Sequence, residues 1–157
     1  MTAKPQPSLY DADFYAWTQA QAGRLRARSG EGGDIDWENV AEEIESVGRS
    51  DKREIRSRLK GTFQYLLKWQ FQPEKRQEGW LSTLSEQRLR WDMIIDDSPS
   101  LRGFPAGALA GAYKLAVFEA VEATDLEKAT FPSSCPYTLP QLRDSGFLPG
   151  RPQDLPR

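Results

Sequence analysis

Seven charged residues recur at helical intervals. Glu38, Glu42, Glu45, Arg49, Arg53, Arg56 and Lys60 follow one another at spacings of 4, 3, 4, 4, 3 and 4. On an α-helix these spacings put all seven on one line, acidic at its start and basic at its end. Such a line has two chemical readings. In the plainer one it is a solvated face that complements the helix dipole, with Glu45 and Arg49 forming a pair worth roughly a few tenths of a kcal/mol. In the sharper one it is a docking surface whose basic end takes a phosphate, a nucleic-acid backbone or an acidic protein.

Carboxylates offer a second chemistry. Glu42 and Glu45 are three apart, as are Glu122 and Asp125. All-α nucleotide pyrophosphohydrolases hold Mg²⁺ with Glu-x-x-Glu and Glu-x-x-Asp pairs on neighbouring helices. Here 76 residues separate Glu45 from Glu122, far more than such folds place between their pairs. The chain has no His at all. That removes imidazole bases, Ser-His-Asp triads, His metal sites and the Glu-x-x-His motif of di-iron bundles. Cys135 is the single cysteine, so no internal disulfide forms. Without an imidazole partner its activation would need a cation or a helix end, and a structural thiol in a small apolar gap is the simpler reading. Gly30–Gly33 has neither the preceding strand nor the Lys of a phosphate loop and reads as a linker.

Helices must position these groups. Asp11 precedes Phe14, Trp17, Gln21 and Leu25, which share one face and predict a helix capped by Asp11 and fading near Arg28. Asp36 opens the next. Trp37, Ala41, Ile44 and Gly48 lie within about 60° of one another on a helical wheel, and Ile55, Leu59, Thr62 and Leu66 return to the same angles. The apolar phase therefore survives Gly48-Arg49-Ser50 and predicts one long helix from 37 to about 70, with any kink falling at Gly48. Pro73 ends it. Trp80, Leu84, Gln87, Trp91 and Ile94 or Ile95 mark a further helix that stops at Asp96-Asp97-Ser98-Pro99, where Ser98 reads as an N-cap before Pro99.

Pro105 is expected to interrupt whatever precedes Ala106, and Leu109, Tyr113, Ala116 and Ala120 place a helix over 106–123. Gly107 and Gly111 weaken that helix and admit close approach of a neighbour, either from another copy or from within the chain. Thr138-Leu139-Pro140-Gln141 has capping-box spacing and starts a short last helix closed by Gly146. The Trp residues, at least four of which fall on apolar faces, read as core anchors, while Trp69 sits off the centre of its face. No segment alternates with strand period.

The 157 residues make one ordinary domain, and 17 aromatics supply enough apolar area to fold despite 28% charged residues. Net charge is −2, so the whole chain is no polycation seeking nucleic acid. Its distribution is uneven: residues 51–102 carry 11 basic and 8 acidic groups, whereas residues 1–50 carry 5 and 9. No apolar run is long enough to span a bilayer. The first residues lack the apolar stretch of a secretory signal, which leads us to expect a cytoplasmic protein.

Several landmarks occur together: Leu9-Tyr10-Asp11-Ala12-Asp13-Phe14-Tyr15-Ala16-Trp17, the long run Asp36 to Ser50, Leu66-Leu67-Lys68-Trp69-Gln70, Glu86-Gln87-Arg88, Asp97-Ser98-Pro99-Ser100-Leu101 and Cys135-Pro136-Tyr137-Thr138. Over roughly residues 9–149 this chain resembles the bacterial domain-of-unknown-function family numbered twenty-nine. The resemblance implies a small all-helical protein and supplies no catalytic residues. Two departures stand out. Members often carry a His where this chain has Tyr65, and Gly103-Phe104-Pro105 replaces what is uninterrupted helix in relatives.

The resulting expectation is an all-α, single-domain helical bundle over 9–149, with four to five principal helices, an N-terminal arm over 1–8 and a C-terminal tail over 150–157. The expected function is a non-enzymatic interaction module binding a protein or nucleic-acid partner through the charged line. The alternative is a metal-dependent hydrolase of a phosphate-containing substrate using Glu42, Glu45, Glu122 and Asp125. No cofactor is called for, and no catalytic residue is recognisable.

Overall fold

A computed structural model describes residues 6–150. It is all-α as expected, with no strand among the described residues. Among the described residues six α-helices follow in order: α1 (Leu9–Ala12), α2 (Phe14–Ala27), α3 (Trp37–Phe71), α4 (Glu78–Asp97), α5 (Phe104–Thr124) and α6 (Leu139–Arg143). Two compact units are distinguishable. Among the described residues, one comprises 6–54 with Met93–Gly103; the other comprises Ile55–Asp92 with 104–150.

In the first unit the chain enters through two caps in succession. Ser8 caps α1, accepting from the Asp11 amide. Asp13, not Asp11, caps α2, because Asp11 is already inside α1. The Asp13 carboxylate accepts from the Ala16 amide at 3.0 Å and from the Ser100 amide and hydroxyl at 2.7 and 2.8 Å. Burial pushes that carboxyl up, but these hydrogen bonds outweigh it and hold the group below its ordinary range. Ser98 does not use its side chain as a helix cap; its hydroxyl accepts from the Tyr15 amide at 2.9 Å. Long-range partners have thus displaced the local capping that the sequence pattern suggested.

α3 is a continuous helix of 35 residues, so neither Gly48 nor Ser50 breaks it. Gly48 has a packing role instead. A Cβ there would stand 2.7 Å from Thr18 Oγ1 and 3.1 Å from the Tyr15 ring. Thr18 is fully buried, and its hydroxyl donates to the Tyr15 carbonyl at 2.7 Å, so it has little freedom to retreat. Gly48→Ala should therefore destabilise the protein. The overpacking cost of about 1–3 kcal/mol outweighs the roughly 1 kcal/mol that Ala gains in helix propensity. A thermal melt that rose instead of falling would show that α2 yields freely at this contact.

The second unit holds most of the buried apolar side chains. Ile55, Leu59, Phe63, Leu66 and Leu67 of α3 are fully buried, as are Trp91 of α4, Ala116 and Ala120 of α5, and Leu142 of α6. Phe63 stands edge-on to Tyr113 at 5.5 Å between centroids and stacks with Tyr137 at 6.3 Å. Pro105 does not interrupt α5. It lies buried in the first turn, where a helix needs no amide donor. α6 carries the expected capping box, with Thr138 and Gln141 satisfying each other's backbone amides. It ends at Arg143, and Gly146 instead donates to the Asp144 side chain.

Of the five Trp, only Trp80 and Trp91 are buried; Trp17, Trp37 and Trp69 are half-buried. Amphipathic indoles reach their core from its edge, so an apolar-face position alone does not imply full burial. The off-centre Trp69 is covered by Arg76, whose guanidinium lies 4.8 Å from the ring and donates to the Trp69 carbonyl at 2.7 Å. Arg76 also donates to the Gly150 carbonyl, and Pro149 is buried, so the chain is held at least to residue 150. Of the expected arm and tail, residues 1–5 and 151–157 lie outside the described residues.

Candidate functional site

The acidic end of the charged line closes on a cation from another helix. Arg26 of α2 donates to Glu45 at 3.0 Å and to Glu42 at 3.5 Å, makes a second, shorter contact with Glu45, and lies 3.6 Å from Glu38. Arg49 pairs with Glu42 and stands 3.7 Å from Glu45. The hydrogen bond from Arg26 holds the Glu45 carboxyl below its ordinary range, and the same bond raises Arg26. Glu38, Glu42, Glu45 and Arg49 are therefore engaged within the molecule. Arg26 was legible only as a cation suited to its own helix terminus; nothing local in the sequence shows that it turns toward α3.

The basic end differs. Arg53 is exposed and makes no ion pair among the described residues. In the second unit, the Arg56 guanidinium lies 5.0 Å from the Phe104 ring centroid, and Lys60 bonds Glu119 of α5 at 2.7 Å. Arg56, Lys60 and Ser57 form one wall of a cleft of about 320 Å³ whose other wall is Gly107, Gly111 and Leu115 of α5.

A larger groove runs along α5 in the same unit. It measures about 1420 Å³ and lies between Ala106, Leu109, Ala110, Tyr113 and Val117 of α5 and the segment Lys128–Cys135, with Phe71 contributing. Its charged lining is Lys114 and Lys128, and no carboxylate lines it. Gly111 borders both cavities. Neither Gly107 nor Gly111 has an atom within 4 Å of where a Cβ would stand, so neither serves close packing within the described residues.

The four carboxylates of the alternative reading are used differently. Glu42 and Glu45 bracket Arg26 and Arg49. Glu122 is exposed on α5, whereas Asp125 lies past that helix with φ +56°. The Glu122–Asp125 pair therefore does not lie on one helical face, because Asp125 occupies the left-handed position that terminates the helix. Among the described residues, no three Asp, Glu or Cys side chains gather in a way that could hold a metal ion.

Cys135 borders the large groove, half-buried, with its thiol donating to the Tyr137 carbonyl at 3.2 Å. Burial pushes the thiol up, opposite to the shift a nucleophile needs. Nearby, burial lifts the Tyr113 phenol to about 12 and lifts Tyr137 further still. The two phenols donate at 2.6 Å to the Pro132 carbonyl and to Gln70 Oε1. Because folding raises these pKa values, the folded state favours the neutral phenol. The stability this contributes is complete below the ordinary value of 10 and is lost as pH rises through about 12. Thermal melts taken across that window should fall steeply, with tyrosinate absorbance rising further as the chain unfolds and frees Tyr113 and Tyr137; a flat profile would contradict this.

With this geometry in view, the family is decided by a family model, Domain of unknown function DUF29, that matches residues 9–148. The chain belongs to the DUF29 family. An α-helical protein of unknown function from Rhodospirillum rubrum, solved as a crystal structure, is similar to this DUF29 protein at 27% identity and a TM-score of 0.73. The match covers 90% of this chain and 93% of that one. Among curated proteins none matches. No helix among the described residues of this DUF29 protein is long and apolar enough to cross a membrane.

Proposed function

We propose that this DUF29 protein is a non-enzymatic interaction module that binds an anionic protein partner. One observation carries the reading: both cavities beside α5 are lined by cations and by no carboxylate. Surfaces of one charge sign steer and select partners of the other. The contact lies in the second unit, at Arg56 in the cleft and at Lys114 in the groove, whereas Lys60 is already bonded to Glu119. The acidic end contributes rigidity, since Glu38, Glu42, Glu45 and Arg49 already have partners. The net charge of −2 favours a protein over a nucleic acid.

The test is retention from a lysate of the source cells on immobilised protein at about 50 mM and about 500 mM salt, where the longer screening length at low salt preserves charge steering. Proteins held at low salt should elute at high salt. Arg56→Glu combined with Lys114→Glu should retain them about tenfold less well, because like charges then face the partner. Equal retention by wild type and the charge-reversed protein would overturn the reading, and retention of nucleic acid in place of protein would change the partner class.

A further inference from the structure

α5 is apolar around most of its circumference, and Lys114, Glu119 and Glu122 are its only charged residues. A helix of that composition is ordinarily covered on all sides. Here Ala116, Val117 and Ala120 are buried, but Leu115 and Phe118 are 57% and 54% exposed. The uncovered face continues into the 1420 Å³ groove, beside Leu109 and Val117. An apolar helix face of this kind, rimmed by charge, is the usual mark of an interaction surface.

Charge decides what covers it. Lys114 and Lys128 line the large groove, and Arg56 and Lys60 line the cleft on the other side. Lys60 is already bonded to Glu119, and Lys128 rests 4.8 Å from the Phe118 ring, on the exposed face itself. The groove itself offers no carboxylate to the lysines of a second copy, so a partner that brings its own acidic side chains matches it better. The large groove also exceeds what a single small molecule fills, since pockets for such ligands measure about 300–1000 Å³. We infer that the face of α5 docks an amphipathic helix of a partner protein, its apolar stripe in the large groove and its flanking Glu or Asp side chains on Lys114, Lys128 and Arg56. This rests on the interaction-module reading and names the partner's chemistry. Gly107 and Gly111 keep the exposed wall of α5 low where the incoming helix would cross it.

The probe is a fluorescein-labelled helical peptide of about 20 residues, long enough to span α5, with Leu and Ala on one face and Glu on the other. Titration followed by anisotropy should give saturable one-to-one binding. Lys114→Glu with Lys128→Glu should weaken it about tenfold, as should Gly107→Gln with Gly111→Gln. The glutamine variant places its side chains in open space and uses a good helix former, so an unchanged or raised melting temperature will show that it folds. The inference is overturned by no saturable binding below about 100 µM, by equal binding of the peptide with Lys in place of Glu, or by unchanged binding to the glutamine variant. It is also overturned by a dimer in light scattering that the glutamine variant dissolves, since a second copy would then cover the face. Salt-sensitive lysate retention that survives the glutamine changes but not Arg56→Glu with Lys114→Glu would leave the module reading intact and remove α5 as its seat.

Discussion

Arg88→Met is expected to lower the free energy of unfolding by about 3–5 kcal/mol, the scale at which removing one partner of a buried charged network acts. Arg88 of α4 is 4% exposed, and its guanidinium donates to three carbonyls: Leu142 at 3.0 Å, Gln141 at 3.2 Å and Phe147 at 2.9 Å. Burial pulls this group below the ordinary arginine range, with Asp144 partly opposing the shift. Methionine preserves much of the apolar stem, so the expected loss comes from the carbonyls left without donors. The urea midpoint should fall while the slope stays fixed. Amide exchange should accelerate first over residues 139–147, because these bonds fasten α6 and the segment after it. A loss below about 1 kcal/mol would mean that water replaces the guanidinium without penalty.

Phe63→Ala is expected to cost about 3–5 kcal/mol, the range for deleting a buried aromatic ring. Phe63 is fully buried between Tyr113 and Tyr137, and Tyr137 depends on a hydrogen bond to Gln70 for its phenol. Phe63→Leu, which conserves more of the volume, should cost less than about 1.5 kcal/mol. Denaturant unfolding of the two variants side by side provides the check. If alanine costs no more than leucine, the surrounding side chains close the space and the aromatic contacts contribute little.

These two sites were unequally legible. Phe63 lies in a run rich in apolar residues, and its burial follows from composition, whereas the clamp made by Arg88 joins residues 59 apart in sequence. The same divide runs through the charged line. Its outward direction was legible, since Ile55 and Leu59 are buried while Glu42 and Arg53 are exposed. Its partners were not: Arg26 reaches Glu45 across 19 residues, and Lys60 reaches Glu119 from a different helix. Spacing assigns a side chain to a face, but it carries no information about which distant side chain meets that face. The Trp residues show the same limit, because phase placed them toward a core and only the packing of neighbours determined that three stop at its edge.

The sequence by itself determined the helical phase and the approximate extent of the long helices. Asp36, Pro73, Pro99 and the Thr138–Gln141 box act within a turn or two of backbone, and helical periodicity is set by sterics between residues three and four apart. That is why α3 passes unbroken through Gly48. Only the tertiary structure decided that Gly48 is there to admit Thr18 and Tyr15, that Asp13 rather than Asp11 holds the cap, that the acidic end is closed by Arg26, and that one face of α5 stays uncovered. Each of these depends on which surfaces meet after the helices have formed, and that choice is made by the summed packing and desolvation of residues far apart in the chain.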